Sequence, residues 1–146
     1  MKQQHPDTTV NDCKIMTLES HANLRGNLTV AQNAGNIPFN IKRLYYIFDI
    51  PSNSERGGHS HYSEECMLVA VSGCFDVVVN DGFETRTFTL RKPNEALFVP
   101  PGLWRTLGNF SSGCVALALS SMNYDESDYV RDFDEFIRLK SNVNAD

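Results

Sequence analysis

Apolar positions along this chain recur with a period of two far more often than with a period of 3.6, so the elements they predict are short strands. Phe75, Val77 and Val79 share one face of a segment that ends in Asn80-Asp81-Gly82. That triplet is a hairpin turn signal, because Asn, Asp and Gly tolerate positive φ. Beyond it, Arg86, Phe88 and Leu90 share a face opposite Thr85, Thr87 and Thr89. Cys66–Ser72 is a nearly continuous apolar run, the pattern of a strand buried on both faces, and Gly73 ends it. Residues 41–48 are rich in β-branched and aromatic types. Residues 96–99 form another strand stopped by Pro100-Pro101-Gly102, and residues 114–119 form the last. Nearer the N-terminus, residues 14–19 and 28–31 read as shorter strands with a turn over 21–26. Residues 33–38 and 51–58 read as loops.

The tail changes period. Ser127 is placed to cap a helix over residues 128–140, with Asp128 at its positive N-terminal end. Val130, Phe133 and Ile137, flanked by Tyr129 and Phe136, give that helix an apolar stripe with which to dock. About eight or nine short strands with Gly and Pro turns, followed by one short C-terminal α-helix, predict an all-β jelly-roll barrel or sandwich.

The bulk numbers narrow the function classes. With 146 residues, 41% hydrophobic and 21% charged, the chain is expected to form one globular domain over residues 13–140. A flexible N-terminal segment, 1–12, and a flexible tail, 141–146, are expected on either side. The net charge of -5 argues against a nucleic-acid partner. No apolar run approaches the ~18 residues that span a bilayer, so no membrane partner is expected. Cys13, Cys66, Cys74 and Cys114 form no Cys-x-x-Cys pair and read as reduced thiols of a cytoplasmic protein.

His59-Ser60-His61 is the central chemical feature. Residues two apart on a strand point to the same side, so both imidazoles should enter one cavity. With Glu64, Glu65 and Gly73 they resemble the first cupin motif. Pro100-x-Gly102-x-x-Arg105-x-x-x-Asn109 resembles the second, with Arg105 at the position usually held by a metal-ligating histidine. A guanidinium offers only donors and repels a divalent cation. The remaining histidines, His5 and His21, lie in weakly patterned N-terminal sequence. No metal and no cofactor are therefore expected. Two alternatives remain open at this point: a metal-dependent cupin with two histidines and one carboxylate, and a non-catalytic cupin that binds a nucleotide sugar.

Longer stretches sharpen the resemblance. Residues 37–48, Arg56-Gly57-Gly58-His59-Ser60-His61, Val71-Ser72-Gly73, Pro100-Pro101-Gly102-Leu103-Trp104 and residues 124–136 together resemble the sugar 3,4-ketoisomerase family, also labelled by its WxcM-like domain. The resemblance covers residues 15–139 and implies a metal-independent cupin jelly roll, a homodimer that can exchange an N-terminal strand. The implied reaction moves the keto group of a dTDP-linked 4-keto-6-deoxyhexose from C4 to C3, for amino sugars of bacterial surface polysaccharides. The family's paired histidines map onto His59 and His61, and its preceding arginine onto Arg56. The chain departs from the family where Arg105 replaces a usual histidine, and where Ser60 and Tyr62 replace a usual Ala and a frequent Lys.

Such an isomerisation passes through an enediol. It needs a base near neutral pH and a donor for the developing oxyanion. His61 is expected as the base with His59 as its partner, although the order can be reversed. Arg43 and Tyr45 lie two apart, so they can bind phosphate and sugar from one face, with Tyr46 as Tyr45's competitor. Arg56 and Arg105 are expected to meet the diphosphate or sugar, and Trp104 to pack in the core. A related epimerase would need a His–Asp pair, and no aspartate is evidently placed for one.

Overall fold

The period-two segments form twelve antiparallel strands and one helix in a computed structural model that describes residues 4–143. One sheet holds β1 (Lys14–Thr17), β4 (Arg43–Ile47), β6 (Cys66–Ser72), β9 (Glu95–Val99) and β11 (Val115–Ser120), in the order β1-β9-β6-β11-β4. The other holds β5 (Arg56–His61), β7 (Phe75–Asn80), β8 (Thr85–Leu90), β10 (Trp104–Gly108) and β12 (Tyr129–Val130), in the order β12-β5-β10-β7-β8. From β4 onward the chain passes back and forth between the sheets, which makes the jelly roll of a cupin. β2 (Glu19–Asn23) and β3 (Gly26–Val30) stand apart as an exposed hairpin.

The expected faces are the observed ones. Phe75, Val77 and Val79 are fully buried between the sheets beside Leu97, Val99 and Leu107. Burying each such side chain contributes roughly 1.5–3 kcal/mol. β6 is covered on both sides. Cys66, Leu68 and Ala70 join that inner core, while Met67 and Val69 join a second cluster on the outer face under Ile37 and Phe39. The turn after β7 closes through Asp81 Oδ1, which accepts from the Phe83 and Glu84 amides at 2.9 and 2.7 Å.

Several sequence expectations change: β2 runs into the segment read as a turn over 21–26, β10 lies where no strand was read, and residues 141–143 of the expected flexible tail belong to the helix. β5 begins at Arg56, inside the segment read as a loop, because Gly57 at φ +77° turns the chain into the sheet. The helix α1 spans Phe133–Val143 rather than 128–140. Tyr129 and Val130 instead pair with His61 and Ser60, and Asp132, not Ser127, accepts from the first turn through the Glu135 amide at 3.1 Å. The N-terminal segment, read as flexible over 1–12, packs from His5 onward. His5 and Val10 are buried, and Lys140 Nζ on α1 donates to the Pro6 and Thr8 carbonyls at 2.9 and 2.7 Å. Residues 1–3 of that segment, and residues 144–146 of the expected flexible tail, lie outside the described residues.

Candidate active site

The two sheets part at one end of the barrel and leave a cavity of about 480 Å³. Alternation along β4 turns Arg43 and Tyr45 into it, leaving Tyr46 half exposed on the outer face beside Phe48. β5 contributes Arg56 and His59, and β10 contributes Arg105, directly opposite His59 in the strand register. Five of the six residues expected at the site therefore line one cavity. Trp104 stays out of it and packs against Phe133 and Phe136, with centroids at 5.2 and 5.7 Å.

The sixth residue, His61, lies just behind that wall. Its ring meets His59 edge-on at 4.7 Å between centroids and is 1% exposed. Both of its nitrogens face carboxylates. Nδ1 is 3.1 Å from Asp128 Oδ2, and Nε2 is 2.8 Å from Glu64 Oε2. Glu64 Oε1 also accepts from Arg43 Nη2 at 2.6 Å and from the Ser120 hydroxyl. Asp128 Oδ2 accepts from the Glu64 amide at 3.1 Å. Arg43, Glu64, His61 and Asp128 thus form a continuous buried network. The expectation that both imidazoles enter the cavity is corrected: His59 lines it and His61 does not. The aspartate not evident in the sequence is Asp128, bound to the rear histidine.

Burial governs the titration of these groups. Burial first, then the Arg105 charge and His61, hold His59 down at about 2, so its ring is a neutral imidazole at pH 7. Burial also lowers His61, against the pull of Glu64 and Asp128. Burial alone would raise the Glu64 carboxyl. Hydrogen bonding and charge from His61, the Ser120 hydroxyl and Arg105 instead hold it down to about 2. The Tyr45 phenol is pushed up by burial and stays a proton donor.

Sequence reasoning missed the far wall. Tyr129 packs tilted against both histidines, with centroids 4.9 Å from His59 and 4.3 Å from His61. Arg131 caps the Tyr129 ring at 4.1 Å and is gripped by Glu126 through Nε and Nη2 at 2.6 and 2.9 Å. Tyr124 completes the mouth above Arg43, 5.5 Å from its guanidinium. The only signal was alternation: Tyr129 and Arg131 lie two apart, but they sat within an apolar stripe that also fitted a helix.

The donor set does not fit a divalent cation. A fixed guanidinium stands opposite His59, and both nitrogens of His61 are already turned to carboxylates. His59 Nε2 and the Nε and Nη2 groups of Arg105 are buried without a hydrogen-bond partner among the described residues. The cavity thus presents one bare imidazole nitrogen and one bare donor fork, suited to a ligand that carries both an acidic hydrogen and oxygens.

The TDP-4-oxo-6-deoxy-alpha-D-glucose-3,4-oxoisomerase of Aneurinibacillus thermoaerophilus is 38% identical over 133 residues, which are 91% of this chain and 96% of that one. A 3,4-ketoisomerase from Helicobacter canadensis superposes with a TM-score of 0.86 at 39% identity, covering 89% of this chain and 98% of the other. The sugar 3,4-ketoisomerase QdtA from Thermoanaerobacterium thermosaccharolyticum, solved in complex with TDP, superposes with a TM-score of 0.90 at 31% identity, covering 92% and 98%. The family described as FdtA, WxcM-like, C-terminal, matches residues 11–141, nearly the whole chain, and the protein belongs to it.

Proposed function

We propose that this protein is a metal-independent 3,4-ketoisomerase acting on a dTDP-linked 4-keto-6-deoxyhexose, with His59 as the base. The observation that carries this reading is the bare, buried Nε2 of His59 facing a cavity walled by Arg43, Arg56, Arg105 and Arg131. The nature of the ligand follows from one relative named for a TDP-sugar and another solved in complex with TDP. Arg56 and Arg131 at the mouth suit its diphosphate.

His59 takes the proton from C3. The C3–C4 double bond forms and charge moves onto O4, where donors from Tyr45 and Arg105 receive it. O4 gains a proton as O3 loses one, the C3 carbonyl forms, and His59, its proton exchanged with solvent, protonates C4. Glu64 and Asp128 hold His61, and His61 backs the His59 ring. The test is proton NMR of dTDP-4-keto-6-deoxyglucose with the enzyme in deuterated water. Deuterium should enter the ring as the 3-keto product forms, and His59→Asn should stop both while TDP still binds. Binding without exchange by the wild-type protein would make it a sugar-binding cupin instead.

The product suits amination for sugars of surface polysaccharides, and the buried, unpaired Cys13, Cys66 and Cys114 suit a cytoplasmic site of action. The protein works as a homodimer. The exposed β2–β3 hairpin, with Leu24 and Leu28 bare, and the apolar outer face of β4 supply surface for it. An exchanged N-terminal strand would replace β1, here paired with its own β9, by the partner's copy. Light scattering of the purified chain tests this, and a monomer at micromolar concentration refutes it.

A further inference from the structure

The reverse side of β5 carries a histidine for which the reaction above has no use. Ser60 points away from the cavity, as alternation with His59 and His61 requires, and is fully buried. Its hydroxyl meets His5 Nε2 at 3.0 Å. The His5 ring is 2% exposed and stands edge-on to Tyr62 at 5.2 Å and to Phe136 at 5.7 Å. His5 therefore touches the residues immediately before and after His61.

The segment that carries His5 has little freedom to drift. Lys140 holds the Pro6 and Thr8 carbonyls, the Thr8 hydroxyl donates to the Pro101 carbonyl at 2.7 Å, and the Val10 amide donates to Asp81 Oδ2 at 3.0 Å. On the cavity side, Tyr62 donates its amide to the Asp128 carbonyl at 3.0 Å, and Asp128 holds His61 Nδ1. A push or slack at His5 thus reaches His61 from both sides, and His61 is the ring against which His59 rests.

We propose that His5 is a positioning residue for the isomerase: it grips Ser60 and Tyr62 from behind and so fixes the His61–His59 pair relative to the cavity. The inference rests on the reading of His59 as the base. Catalytic geometry tolerates about 0.5 Å of error, and a 1 Å misplacement costs on the order of 100-fold.

The experiment compares full-length wild type with His5→Ala, Ser60→Ala, the double variant and His5→Gln, well below their melting temperatures. The expected result is a kcat about 10-fold lower in each Ala variant, with KM within about two-fold. The double variant should be no worse than either single one, because both remove the same link. His5→Gln, whose amide can still meet Ser60, should recover most of the rate. The His61 imidazole resonances of substrate-free protein should move in His5→Ala and stay put in Lys92→Ala. Should His5→Ala not fold, Ser60→Ala decides alone by the same two readings. Additive kcat losses, or a wild-type kcat and unmoved resonances in a merely less stable Ser60→Ala or His5→Ala, overturn the proposal. The resonances need no turnover, so they judge the positioning even if the protein proves not to isomerise its substrate.

Discussion

Acid should unfold this protein through its buried histidines before most carboxylates are protonated. His5 is held down to about 4 by burial, with Lys140 and His61 adding to it, and His59 to about 2 by burial, Arg105 and His61. In the unfolded chain both return to about 6.5. Between those values the unfolded state binds more protons than the native state, so stability falls as the pH falls and is restored as it rises. At a pH of about 4.5 the linkage relation gives roughly 2.6 kcal/mol lost through each ring. Solvent screening trims that sum, and about 3 kcal/mol in total is expected between pH ~7 and pH ~4.5. Glu64 and Asp81, both lowered, extend the loss at more acidic pH. The assay is urea unfolding followed by fluorescence of Trp104, the single tryptophan, which is seated between Phe133 and Phe136. His5→Gln keeps a polar partner for Ser60 but cannot titrate, so its loss over the same interval should be clearly smaller than that of wild type, with His59 and His61, also lowered by burial, carrying the remainder. A stability that is flat over that interval, or a His5→Gln curve parallel to wild type, would refute the assignment of these two rings as the acid-sensitive groups.

Other outcomes follow from the same geometry. Arg105→Leu removes a charge that holds His59 down, so the acidic limb of the kcat/KM pH profile should move to higher pH while kcat falls. Asp128→Asn should lower kcat about 10- to 100-fold with little change in TDP affinity, read by single-turnover kinetics and calorimetry. Gly102 has φ +89°, and a Cβ there would lie 2.6 Å from Thr8 Oγ1 and 2.8 Å from the Pro6 carbonyl oxygen. Gly102→Ala should therefore loosen the N-terminal strap and lower stability by at least ~1 kcal/mol in urea unfolding. Phe75→Ala empties the centre of the inner core and should cost about 3–5 kcal/mol in the same measurement.

The strands were legible where a dry face was built of apolar residues, and β10 was not read because one of its two buried positions is Arg105. Phe75, Val77 and Val79 alternate because water lies on only one side of β7, and the unbroken run of β6 reflects clusters on both sides of it. β2 was not legible as a strand, since all five of its residues are exposed and carry no alternation. The helix start was misplaced because Tyr129, Val130, Phe133 and Phe136 fit an apolar helical stripe equally well. Only the pairing of Tyr129 with His61 decides for a strand, and that contact is non-local. The cavity arginines and Tyr45 followed from strand parity. Which imidazole reaches the cavity did not, because it depends on Asp128, 67 residues away, drawing His61 back. His5 carried no local pattern at all. Its hydrogen-bond partner Ser60 lies 55 residues away, and its ring partner Tyr62 lies on the same distant stretch.

The arginines at the cavity have a reach beyond contact. The chain carries a net charge of -5, yet four of its thirteen basic residues gather at one opening. Glu64 offsets Arg43 and Glu126 offsets Arg131, so Arg56 and Arg105 supply the net positive charge of that opening and draw a phosphorylated ligand toward it. Encounter with a doubly charged nucleotide is then a guided descent at low ionic strength, and added salt slows arrival without touching the chemistry inside.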